Sequence, residues 1–150
     1  MFVCVGGDSA GVAYYKEKVR DAGLSDRVVL LERVSRNKLA QYQKACDALL
    51  MPFPNTKHYA YYMSPLKMFE YMASKRPIIA SDLPSIKEVL QHKKNALLFA
   101  PGDIEGLQLS IENLIRDTEL ANTLAQQASQ DVVQYSWKQR VVHITHFLSN

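Results

Sequence analysis

A chain of 150 residues suits one domain with a core of its own. Hydrophobic residues make up 47% and charged residues 22%, which excludes a disordered chain, and no apolar run approaches the ~18 residues that cross a bilayer. The net charge of +3 mildly favours anionic ligands, but no basic cluster is interleaved with aromatics, so a nucleic-acid partner is not expected.

The pattern alternates strand and helix. Met1 to Gly7 lacks the basic start of a signal peptide and reads as a buried strand over residues 2–6, ending in glycines. Helical spacing through Val12, Tyr15, Val19 and Ala22 follows, closed by Gly23. Val28 to Leu31 is a continuous apolar run. Ser35 then caps a helix carrying Leu39, Tyr42 and Cys46. Ala48 to Met51 is another buried run, stopped by Pro52. Residues 52–63, with two prolines and several aromatics, read as a long loop of the kind that carries function. A helix starts near Ser64. A strand covers Pro77 to Ser81, a short helix runs from Ser85 to Gln91, and the last strand is Ala96 to Ala100. From Asp103 the pattern is helical, with Gly106 a mild weakness and breaks near Asp117 and Tyr135. Strands that are apolar throughout, separated by amphipathic helices, predict a parallel sheet covered on both faces. Ligands of such sheets bind beyond the carboxyl ends of the strands. The segments to watch therefore follow Gly6, Leu31, Met51, Ser81 and Ala100.

Ser64 fits an N-cap and Pro65 the first helical position. Leu66, Phe69 and Ala73 then form the expected core stripe, with Lys67 and Glu70 on the opposite face. A cation in the first turn opposes the helix dipole by about 0.3–1 kcal/mol. A phosphate at the helix start would reverse that penalty, because backbone N–H groups and the ammonium would both serve it. Glu70 could accept hydrogen bonds from ribose hydroxyls. A solvated Lys67–Glu70 pair is the competing reading.

The stretch from Ser64 to Asp82 resembles the C-terminal half of group 1 (family 4) glycosyltransferases of the GT-B fold. The similarity continues through Pro84 to Val89, Asn95 to Phe99, Pro101 to Asp103 and Tyr135 to Arg140, and more loosely through Val5 to Gly7 and Val28 to Ser35. The resemblance implies an α/β, Rossmann-like three-layer sandwich with a parallel sheet, spanning residues 1–150 as a single nucleotide-sugar-binding domain. It also implies that the N-terminal acceptor domain and the first strand–helix unit are missing, so that the fragment alone is inactive. The implied reaction is transfer of a sugar from a nucleoside-diphosphate sugar to an acceptor hydroxyl, with retention and without metal or cofactor. Of two family glutamates eight positions apart, the second matches Glu70 and implies ribose binding; the first falls on Tyr62, a departure. Met63, Ser64, Pro65 and Leu66 match the segment facing diphosphate and sugar, with Lys67 beside it. Arg33 and Val34 match a strand-end turn beside the nucleobase. No catalytic residue is assigned. The alternatives are a non-catalytic sugar-nucleotide module, which Tyr62 favours, and a GT-B epimerase. A cytoplasmic location is expected, with peripheral membrane association open for the full-length protein.

Other features invite local readings. Gly6 to Gly11 lacks the spacing of the dinucleotide fingerprint and reads as a turn. Tyr59, Tyr61 and Tyr62 could stack on a ligand or cover the sheet edge. His58 reads as an exposed loop residue. Cys4 and Cys46 are expected as reduced core thiols. Glu88 is expected in a first helical turn, where the dipole favours an acid. His143 and His146 share a helix face without a carboxylate at ligand spacing, so no metal site is expected. Trp137, Val141, Ile144 and Leu148 form the packing stripe of the last helix.

Overall fold

The computed structural model describes residues 1–149. It divides into two compact units, Met1–Tyr42 and Gln43–Asn150.

In the first unit, strand β1 (Phe2–Val5) pairs in parallel with β2 (Val28–Leu31), Phe2 opposite Val28 and Val5 opposite Leu31. Helix α1 (Ser9–Asp21) connects them. Asp8 caps it, its carboxylate accepting the Gly11 N–H at 2.8 Å. Gly23, at φ 66°, reverses the chain at the other end, and the Gly23 and Leu24 N–H groups close on the Arg20 and Val19 carbonyls. The apolar runs are less buried than their composition suggests. Val3 and Val5 are half-buried while Phe2 and Cys4 are exposed, so β1 is covered on one face only. Cys4 is therefore a surface thiol, and Cys46 is only partly buried. Helix α2 (Arg36–Ala45) follows Ser35, whose hydroxyl faces the Lys38 N–H at 3.4 Å.

The second unit is a three-stranded parallel sheet in the order β3 (Leu49–Met51), β4 (Ile78–Ser81), β5 (Leu97–Phe99). Register sets Leu50 beside Ile79 and Ala80 beside Leu98. Every residue of the central β4 is buried. Its side chains alternate between two apolar clusters, as the pleat requires. Ile78 and Ala80 join Met51, Met68, Met72, Ile86, Leu90 and Leu98. Ile79 joins Leu97, Phe99, Leu114 and Leu124. The first cluster is closed by α3 (Leu66–Ala73) and the short α4 (Pro84–Lys87), the second by α5 (Ile104–Arg116). Helix α6 (Thr118–Asp131) supplies Leu124 to one cluster and Ala128 to the other. Buried Asn95 ties α6 down, donating to the Asp131 carboxylate at 2.8 Å and accepting the Gln91 N–H at 2.7 Å. A 3-10 turn (Val132–Tyr135) leads to α7 (Trp137–Leu148).

Four expectations are corrected in this unit. The residues before α3 are not wholly irregular, because His58–Tyr62 winds as a single π-helical turn. The α3 stripe is Met68 and Met72, four apart and buried, flanked by half-buried Phe69 and Tyr71; Leu66 is 75% exposed and Ala73 is exposed too. Helix α4 ends at Lys87, so Glu88 is the residue after the helix rather than a first-turn acid. The stripe of α7 is exposed, Trp137, Val141, Ile144 and Leu148 all standing at half accessibility or more. Gly106 has a purpose in α5. Its N–H is held by the Asp103 cap at 2.9 Å, and a Cβ there would collide with the same carboxylate.

Two substitutions separate the observed α3 stripe from the expected one. Met72→Ala should destabilise the fold by about 2–5 kcal/mol in urea unfolding, whereas Leu66→Ala should stay within about 0.5 kcal/mol of wild type. A larger loss for Leu66→Ala than for Met72→Ala would contradict the packing described.

Candidate functional site

The start of α3 differs from the other long helices of this unit. Asp103 caps α5, Asp117 caps α6 through the Leu120 N–H at 2.8 Å, and Ser136 faces the Gln139 N–H at 3.4 Å at the head of α7. Helix α3 instead begins after Pro65, which holds the N-cap position at φ −75°, ψ 118° with no side-chain cap. Ser64 is therefore not the cap that its residue type suggests. Preceding a proline, it is confined to extended backbone and lies one residue too early to reach the first-turn amides. Pro65 itself is buried and stands before the helix, not at its first position.

The consequence is a helix end with open donors. Met68 N–H bonds the Pro65 carbonyl at 3.0 Å, but the Leu66 and Lys67 N–H groups find no acceptor among the described residues. Lys67 and Glu70 are both exposed, as expected, and form no ion pair with one another. Glu70 is two positions from both Met68 and Met72, so burying those methionines turns its carboxylate outward. The Lys67 ammonium lies 5.4 Å from the centre of the Phe53 ring. Phe53 stacks on Tyr59 with centroids 5.2 Å apart, and the Ser85 hydroxyl fixes the Tyr59 carbonyl at 2.6 Å. Phe53 was not singled out in the sequence. A lone phenylalanine between two prolines carries no periodic signal, and only its place after the carboxyl end of β3 could have marked it.

The tyrosines before α3 divide by role. Tyr59 is half-buried and packs on the core, whereas Tyr61 and Tyr62 are 68% and 78% exposed. Met63 is half-buried against the same cluster. The structure thus gathers Tyr62, Met63, Ser64, Pro65, Leu66, Lys67 and Glu70 on the π-helical turn and the first turns of α3. Arg33 and Val34 belong to the first unit, on the turn after β2, where the Arg33 N–H bonds the Gly7 carbonyl at 3.3 Å. The glycine-rich turn before α1 is occupied by its own Asp8 carboxylate, which opposes a phosphate there. Among the described residues, no group of three or more His, Cys, Asp or Glu is placed to hold a metal ion. No helix among them is long and apolar enough to cross a membrane.

The model of the family described as glycosyl transferases group 1 matches residues 1–117. A D-inositol 3-phosphate glycosyltransferase of Jonesia denitrificans is 25% identical over 138 residues, covering 90% of this chain and 31% of the relative. The sucrose-phosphate synthase of Thermosynechococcus elongatus superposes with a TM-score of 0.82 at 23% identity, over 98% of this chain and 37% of that one. The Anabaena protein HepE, solved with UDP-glucose, gives 0.72 at 24% identity over 88% of this chain and 35% of that one. The chain spans no more than 31% of the length of the curated relatives it matches. Its α/β architecture of parallel sheets flanked by helices is that of the C-terminal half of a GT-B enzyme. The chain belongs to the group 1 glycosyltransferases.

Proposed function

We propose that this chain binds the nucleoside-diphosphate sugar of a glycosyltransferase, and that the full-length protein moves the sugar to an acceptor hydroxyl with retention at the anomeric carbon. The observation that carries the reading is the start of α3, where two amides have no acceptor and exposed Lys67 and Glu70 have no ion-pair partner among the described residues. The diphosphate rests on the Leu66 and Lys67 amides beside the Lys67 ammonium, and Glu70 accepts hydrogen bonds from the ribose. Met63, Ser64, Pro65 and Tyr62 border the sugar. HepE, a neighbour in fold, was solved with UDP-glucose, which supports this class of donor.

In the transfer, the bond between the anomeric carbon and the diphosphate oxygen breaks. A bond from that carbon to the acceptor oxygen forms, and the acceptor hydroxyl releases its proton. Charge accumulates on the departing diphosphate, where the helix end and Lys67 are most favourable. These groups supply the positive potential within the protein, so the proposed reaction uses no metal and no cofactor. The acceptor-binding half lies outside these 150 residues, in keeping with the share of the relatives that the chain spans. A second reading, a non-catalytic sugar-nucleotide module, is favoured by Tyr62, whose exposed phenol stands where the family resemblance implies a glutamate.

Calorimetry of the full-length protein with UDP, GDP and ADP tests the proposal. One of them should bind, and Glu70→Ala should weaken it by about 10- to 100-fold, the loss of charge-assisted hydrogen bonds to a hydroxyl pair. Lys67→Ala should weaken it too and flatten its salt dependence. Binding of none of the three, or an unchanged affinity in Glu70→Ala, would dismiss the site. Wild-type binding without transfer or donor hydrolysis would leave the second reading standing.

A further inference from the structure

The Lys67 ammonium meets an aromatic ring and no carboxylate. Its nitrogen lies 5.4 Å from the centre of the Phe53 ring, and no ion pair among the described residues includes it. The other two cation–ring contacts among them, Lys18 over Tyr14 and Arg140 over Trp137, each join neighbours on one helix. Lys67 instead reaches from α3 to the segment after β3. Phe53 is well fixed there. Pro52 and Pro54 flank it, the second restricting its backbone, and its N–H bonds the Met51 carbonyl at 3.0 Å. Its ring stacks on Tyr59 at an interplanar angle of 20°. Tyr59 is itself held, because its carbonyl accepts the Ser85 hydroxyl at 2.6 Å and its ring meets His58 edge-on.

We propose that Phe53 is the positioning residue for Lys67, its ring holding the ammonium at the flank of the α3 start and so raising affinity for the nucleoside diphosphate. The inference rests on the donor reading above and adds the residue that sets where the cation stands. A ring suits this task better than an acid. A carboxylate attracts an ammonium strongly but cancels its charge, as Asp82 does for Lys87 at 2.7 Å. The ring attracts the cation through its quadrupole and brings no net negative charge. The positive potential at the helix start is thereby kept for the ligand. Order matters as well as charge. A lysine left free loses rotamer freedom when it closes on an anion, whereas one already resting on a fixed ring has less to lose.

The test is a double-mutant cycle on the full-length protein, read by calorimetry with whichever of UDP, GDP and ADP the wild type binds. Phe53→Leu should weaken binding about two- to fivefold, the range of one exposed cation–ring contact. Phe53→Met is the second ring-free variant, in case packing rejects the branched side chain, and should lose as much. Phe53→Tyr keeps the ring and should hold the wild-type affinity. In a Lys67→Met background the loss of the ring should change nothing, because no cation remains to be placed. A Phe53 that serves packing alone would cost the same affinity in both backgrounds, and that result overturns the proposal. So does an unchanged affinity in the ring-free variants, or a loss in Phe53→Tyr equal to theirs. Failure of the donor reading looks different: the wild type then binds none of the three nucleotides, and the inference falls with it.

Discussion

The second unit depends on the complete burial of β4. Four residues, Ile78 to Ser81, have no contact with solvent, so each face of the sheet must be sealed by other elements. Strict alternation then divides the labour. Ile78 and Ala80 require the methionines of α3 and the apolar residues of α4 on one side. Ile79 requires Leu114 and Leu124 on the other. A parallel strand can be buried on both faces only if its connections are helices long enough to cover it, which is why the segments between strands are helical.

That constraint sets the direction of the exposed chemistry. Helix α3 is anchored through Met68 and Met72, and at about 100° of turn per residue the outward positions follow without further choice. Glu70 and Leu66 come to lie away from the core, and Lys67 on its flank reaches the Phe53 face. The stacked Phe53–Tyr59 pair and the Ser85 bond to Tyr59 are scaffolding for that arrangement, since they stiffen the approach to α3 without occupying its first-turn amides.

Much of this was legible in the sequence. The runs at 49–51, 78–81 and 97–99 are short, apolar and bounded by Pro, Gly or Asp, and period and punctuation together identify strands. The exposed face of Lys67 and Glu70 was legible for the same reason, since charge at helical spacing marks solvent. Misreadings arose where two rules competed. Ser64-Pro65 satisfies both the capping preference and the proline preference, yet the restriction on the residue preceding proline shifts the helix start by one. The α3 segment is apolar nearly all round, with Leu66, Met68, Phe69, Tyr71, Met72 and Ala73, so periodicity alone could not choose the buried stripe; only the partner surface does. Cys4 shows the converse, an apolar strand whose second face no neighbour seals.

The helix starts of the second unit differ in how their positive ends are neutralised. Every peptide dipole in a helix adds to positive potential at its N-terminus, and most proteins neutralise that end with a side chain of their own. Here α5 and α6 do so with Asp103 and Asp117, each within about 3 Å of a first-turn amide. Asp82, just ahead of α4, is engaged by Lys87 at 2.7 Å. At α3 the order is inverted: proline removes one donor, no side chain caps the next two, and the first charge met is a lysine. Potential that is cancelled locally elsewhere is left open there. Under the proposed donor reading, a diphosphate there would meet both amides and the ammonium without displacing any bond the fold depends on.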